Sequence, residues 1–148
     1  MNLRFDKVIR SVGFGLRKVY SLVLNDDALY LIKTGSVGAL KHFQLNADRQ
    51  VVVAGAAAGG PITDRGVKAL LANEAAIDTT PIDALQQTDH DHYRIRLEAI
   101  EDVAIKAGKS PEMLIKLTGS DHFLVFPFAT FDDVQTLQRA LNKWSLKP

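Results

Sequence analysis

The chain has no cysteine. That excludes disulfide staples, thiolate metal ligands and a thiol nucleophile, and it suits a reducing compartment. It also has no long apolar run. The longest, VVVAGAAAGG from Val51, is about half of the roughly 20 residues that span a bilayer, and its middle is alanine and glycine. Charge of one sign is missing as well. Eighteen Lys and Arg stand against seventeen Asp and Glu, a net +1, which argues against a general nucleic-acid binder. The opening MNLRFDKVIRSVGFGLRK carries a charge every few residues in place of the apolar core of a secretory signal. The expected location is therefore the cytoplasm. Internal repeats and low-complexity tails are absent too.

What is present is one domain's worth of chain. At 148 residues, 47% hydrophobic and 24% charged, residues 1–148 are expected to form a single globular domain with a buried core. The charge is uneven. Arg4, Lys7, Arg10, Arg17 and Lys18 face only Asp6 within the first twenty residues, so this end is basic and the remainder slightly acidic.

Placed at about 100° per residue, Phe5, Val8, Ile9, Val12, Leu16 and Val19 fall on one arc and the basic residues on the other. That spacing predicts an N-terminal amphipathic helix over Leu3 to Val12, ended by Gly13 and Gly15, with Phe14 on the turn. KVYSLVLNDDALYLIKTG from Lys18 then reads as a hairpin around Asn25-Asp26-Asp27, with Tyr20, Leu22 and Leu24 on one face and Ser21 on the other. VGALKHFQL is a candidate third strand.

A helical middle follows. Asn46 is a candidate cap for ADRQVVVAGAAA, which Gly59-Gly60-Pro61 would end, and Thr63 for DRGVKALLANEAAI. Thr80-Pro81 opens a short third helix. The last third returns to strands. In YRIRLEAIEDVAIKAG, Tyr93, Ile95 and Leu97 alternate with Arg94, Arg96 and Glu98, and the pattern slips at Ala99-Ile100 as a bend or bulge would require. EMLIKLTGSDHFLVFPFA is a hairpin around Thr118 to Asp121. Thr130 caps FDDVQTLQRALNKW, whose Phe131, Val134, Leu137, Leu141 and Trp144 form an apolar stripe, with Asp132 and Asp133 at the positive end of the dipole.

The YSLVLNDDALYLIKTG hairpin, the LEAIEDVAIKAG strand pair and a final amphipathic helix ending in tryptophan together resemble the pleckstrin-homology-like superfold. The likeness is closest to its small bacterial and GRAM-type members, and it covers residues 18–45 and 92–145. It implies an α+β fold: an antiparallel seven-strand barrel or sandwich with a C-terminal capping helix, here interrupted by a helical insertion at 46–91. It also implies a non-enzymatic binding or scaffolding role. Phosphoinositide-binding members place basic residues in and around the first hairpin, whereas the turn here, Asn25-Asp26-Asp27, is acidic.

Four motifs bear on chemistry. Residues 89–92 read DHDH. On an extended chain His90 and His92 would lie roughly 6.5–7 Å apart on one side, a spacing two zinc ligands can use. His42, His122 and Asp121 are further candidates. The cluster reads as a polar seam where the insertion enters the strand at Tyr93, with no metal and no cofactor. The alternative is a metal-dependent hydrolytic enzyme using His90 and His92. AGAAAGG lacks the lysine and hydroxyl of a phosphate loop and reads as tight helix packing. Ser120-Asp121-His122 has triad residue types, but neighbours in a turn point apart, so it reads as turn chemistry. The basic end is the remaining candidate. Arg4, Lys7, Arg10, Phe14, Arg17 and Lys18 are expected to meet a protein partner or an anionic membrane surface. On this reading the chain is not an enzyme.

Overall fold

The computed structural model describes residues 3–11, 17–41 and 60–145, with side chains for 3–11, 17–41 and 66–142. Seven strands and three named helices follow one another along the chain. They are β1 (Leu3–Ser11), β2 (Arg17–Leu24), β3 (Ala28–Ser36), α1 (Gly60–Thr79), α2 (Ile82–Gln86), β4 (Tyr93–Arg96), β5 (Ile100–Lys106), β6 (Glu112–Leu117), β7 (Ser120–Val125) and α3 (Phe131–Ser145). A further helical stretch, 37–41, leaves β3.

The strands make one antiparallel sheet in the order β4-β3-β2-β1-β7-β6-β5. Its two edge strands are consecutive in sequence, joined only by the 3-10 turn Leu97–Ala99. Seven flat strands at about 4.8 Å spacing would hold their edges roughly 29 Å apart. Four peptide steps reach at most about 14 Å. The sheet therefore curls until β4 and β5 nearly meet, without a ladder between them. It is an open barrel, compatible with a pleckstrin-homology-like fold. Across its middle, β1 and β7 are joined by only two residue pairs, Ile9 with Val125 and Arg10 with Leu124.

The inner face is the main core. Tyr20, Leu22 and Leu24 of β2 meet Leu29 and Leu31 of β3, Met113 and Ile115 of β6, and Leu124 of β7. One open end is plugged by α3, whose Val134, Leu137 and Leu141 are fully buried. That helix begins where its sequence directs. The Asp133 amide donates to Thr130 Oγ1 and the Thr130 amide to Asp133 Oδ2, both at 3.2 Å, a reciprocal cap. The Trp144 side chain lies outside the described residues. The β2–β3 turn is also local chemistry, since Asn25 Oδ1 accepts from the amides of Asp27 and Ala28. Gly119 closes the β6–β7 turn with φ +83°, a conformation that favours glycine.

The outer face of β2 and β3 is covered as well. Val19, Leu40 and Leu70 form one satellite cluster. Ala28, Tyr30 and Ile32 form another against Ile77, Ile82 and Leu85. This explains why ALYLI in β3 shows no alternation: both faces are buried. The approach is close, because a Cβ on Gly35 would stand 3.1 Å from Leu70 Cδ1.

Several expectations are corrected. Residues 3–11 are strand β1, not an amphipathic helix. The ladder between β1 and β2 shifts register between Phe5 and Val8, and Lys7 there takes φ +59°. Such a bulge sets residues three apart on one face, which imitates helical spacing. Residues 37–41 of VGALKHFQL are helical, because the outer cluster takes up Leu40. The helix assigned to Thr63 already starts at Gly60, with Pro61 in its first turn where a missing amide costs nothing. At the slip in YRIRLEAIEDVAIKAG the structure has the bend, the 3-10 turn Leu97–Ala99, and not a bulge, and the strands on its two sides form opposite edges of the sheet. Val12, Phe14, Leu16 and the helix assigned to 47–58 lie outside the described residues.

Candidate functional site

The five basic residues near the start do not form one face. Arg4 Nη1 pairs with Asp78 at 2.6 Å, Arg4 Nη2 donates to the Glu74 carbonyl at 2.7 Å, and Arg4 Nε pairs with Asp6 at 3.0 Å. Lys7 pairs with Glu74 at 2.9 Å. These two residues clamp α1 to β1. Lys18 reaches Asp91 at 2.9 Å. Arg17 is exposed at the start of β2. Arg10 turns inward.

The inward turn follows from strand alternation after the bulge, which sends Val8 and Arg10 to the inner face. Arg10 is only 7% exposed. Its Nε donates to His122 Nδ1 at 3.0 Å. Its guanidinium carbon lies 4.3 Å from the centre of the Tyr93 ring and 5.8 Å from that of Tyr20, both within cation–π range. Tyr93 meets His122 edge-on at 5.2 Å. Yet Arg10 Nη1 is buried with no hydrogen-bond partner, and so is the Tyr20 hydroxyl. No carboxylate among the described residues forms an ion pair with Arg10.

Arg10 lies in the wall of a cavity of about 400 Å³. Tyr93, Ile95 and Arg96 of β4, Leu117 and His122 complete most of the lining. The cavity thus opens where the curled sheet fails to close, between β4 and the β6–β7 turn. Burial, reinforced by the Arg10 charge and opposed by Asp121, pushes His122 down to about 4. The ring is neutral at neutral pH, and because Nδ1 accepts from Arg10, its proton sits on Nε2. Burial pushes the Tyr20 hydroxyl up to about 12, so it remains a donor. At the rim, Arg96 pairs with Glu98 at 2.9 Å, and Arg94 donates to the Tyr30 hydroxyl at 3.3 Å. Arg10 is the one buried cation of the wall, and Tyr20, whose hydroxyl also lacks a hydrogen-bond partner, lies outside the lining.

The DHDH seam is arranged differently. Asp91 Oδ2 accepts from Lys18 at 2.9 Å and Lys33 at 3.0 Å, and these bonds hold its carboxyl down at about 2. His92 is buried, and its Nδ1 accepts the Lys33 amide at 2.9 Å. Burial also lowers its pKa. His90 projects outward at 93% exposure. Ligand atoms of Asp89, His90 and Asp91 lie within 4.8 Å of one another, but His92 is not in that group. The two imidazoles do not converge. His42 lies outside the described residues. Ser120 and Asp121 are exposed while His122 is buried, so the three residues do not assemble, and they belong to strand β7 as much as to its turn.

Reading the sequence found Arg10 and His122 but assigned neither to this site. Strand alternation would have joined Val8 to Arg10, and the bulge at Lys7 concealed it. No helix of the described residues is long and apolar enough to cross a membrane. No protein-family model matches the chain, and no curated protein matches it.

Proposed function

We propose that the chain is a non-enzymatic binding module of pleckstrin-homology-like type, working in the cytoplasm, that holds a protein partner through an anionic group set against Arg10. One observation carries the reading: a guanidinium nine-tenths buried, without a counter-ion and with Nη1 unsatisfied. Burying a lone ion costs several kcal/mol, so a cation kept in that state points to a missing anion. The sheet order and the capping helix supply the family argument. The separation of His90 from His92 speaks against the hydrolytic alternative. A protein partner is favoured over an anionic membrane because Arg4, Lys7 and Lys18 are already neutralised by Asp6, Asp78, Glu74 and Asp91.

The test is titration with acetate and inorganic phosphate at constant ionic strength, read at the Arg10 Nε and His122 ring resonances. At least one anion should shift them in the wild type and leave Arg10→Gln unchanged. Silence toward both would sink the anion site. In a second arm, phosphatidylserine vesicles should sediment no more of the chain than phosphatidylcholine vesicles do. Recruitment to phosphatidylserine that Arg10→Gln abolishes would replace the protein partner with a membrane.

A further inference from the structure

We infer that the Arg10 cavity takes a carboxylate carried on a flat apolar body, in preference to a phosphate. This rests on the reading of Arg10 as the seat of an anion. Charge matching decides the headgroup. The interior offers a single positive charge, and the neighbouring imidazole, held by Arg10 through Nδ1, accepts rather than donates at that contact. A carboxylate carries one negative charge at neutral pH. A phosphate monoester carries about 1.5 to 2, and the excess would be buried without compensation. At the rim Asp121 adds a carboxylate that further disfavours a second negative charge, Arg96 is engaged by Glu98, and Arg94 lies 3.8 Å from Asp83.

Geometry agrees. With Nε committed to His122, the guanidinium keeps its Nη end, which suits the paired oxygens of a carboxylate. The remaining walls choose the body of the ligand. Tyr93 presents an aromatic ring, and Ile95, Ala99 and Leu117 line the cavity with hydrocarbon. About 400 Å³ is the size of a small-molecule site and would hold one ring or a short branched chain. A free acid and the C-terminal carboxylate of a peptide that ends in an aromatic or branched residue share this chemistry.

The experiment compares benzoate, phenyl phosphate and benzamide, titrated into the full chain at pH 7.5 and constant ionic strength and followed by calorimetry and by the Tyr93 and His122 ring resonances. Benzoate should bind at least tenfold tighter than phenyl phosphate, and neutral benzamide should not bind measurably. Arg10→Met should lose at least tenfold in benzoate affinity while its circular dichroism and urea slope stay native, and Arg10→Lys should fall between the two. Phenyl phosphate binding more tightly than benzoate would overturn the carboxylate assignment while leaving the anion site standing. No binding by either anion would overturn both. Benzoate held equally well by Arg10→Met would place its site elsewhere and overturn the inference. A peptide ending in phenylalanine with a free α-carboxylate, compared with its C-terminal amide and with free benzoate, separates a partner's chain end from a free acid.

Discussion

Two polar clusters that each include a buried histidine lie beside β4, and they are finished to different degrees. In the seam at 89–92 the strong groups are answered: Asp91 by two lysines, His92 by the Lys33 amide, Asp89 by the Asp91 amide, and even the exposed His90 stands 3.5 Å from Asp91 and 3.7 Å from Asp89. Around the cavity beyond Tyr93, Arg10 and Tyr20 keep donors with nothing to meet them. The seam is dense in ligand residues and chemically closed. The cavity is sparse and chemically open. A site is marked by unspent bonding capacity in a dry place, not by how many histidines and aspartates stand in a row.

The comparison assumes that both clusters hang on an apolar frame they do not themselves build. Leu141→Ala, in that frame, should therefore have the largest effect, a loss of about 2 to 5 kcal/mol. Urea denaturation should show the lower midpoint with an unchanged slope, and an unchanged midpoint would remove α3 from the core. Next in size is the pH response of the open cluster. His122 holds its proton only below about 4 when folded, against about 6.5 unfolded. As pH falls from 6.5 the unfolded chain is protonated first, so stability is complete above 6.5 and declines toward 4. The decline attributable to His122, which faces Arg10, Tyr93 and Asp121, should reach up to about 3 kcal/mol. Urea midpoints measured across this window should fall more steeply in the wild type than in His122→Gln. Parallel curves would mean that the ring is not held neutral by burial. The smallest effect belongs to the closed cluster. Lys18→Ala removes one of two lysines from Asp91 at a partly exposed site, so the expected loss is about 0.5 kcal/mol or less and should vanish in 1 M salt. A loss several times larger would make the seam a structural keystone.

Much of this frame could be read directly from the residues. The Asn25 turn, the β6–β7 hairpin, the outward Arg94 and Arg96, and the capped α3 all follow from local rules of period, turn and cap, and the structure keeps them. What was hidden depended on distant partners. A bulge at Lys7 gave β1 the apolar spacing of a helix, and only its neighbours β2 and β7 make it a strand. The break between β4 and β5 looked like a slip because both strands keep an apolar face toward the same core. Arg10 looked like a surface charge because its surroundings, Tyr20, Tyr93 and His122, come from three other strands. The cavity exists only once those strands have met.

That meeting point is the two-pair join between β1 and β7, with Arg10 in one of the pairs and its partners more than a hundred residues away in sequence. β1 to β3, and β5 to β7, are each meanders that can form from neighbouring chain. Closing the join must instead overcome the loop entropy of everything between. The order of assembly then places the cavity last. A molecule in which both half-sheets have formed but not yet met has every hairpin of the native fold, and no Arg10 cavity.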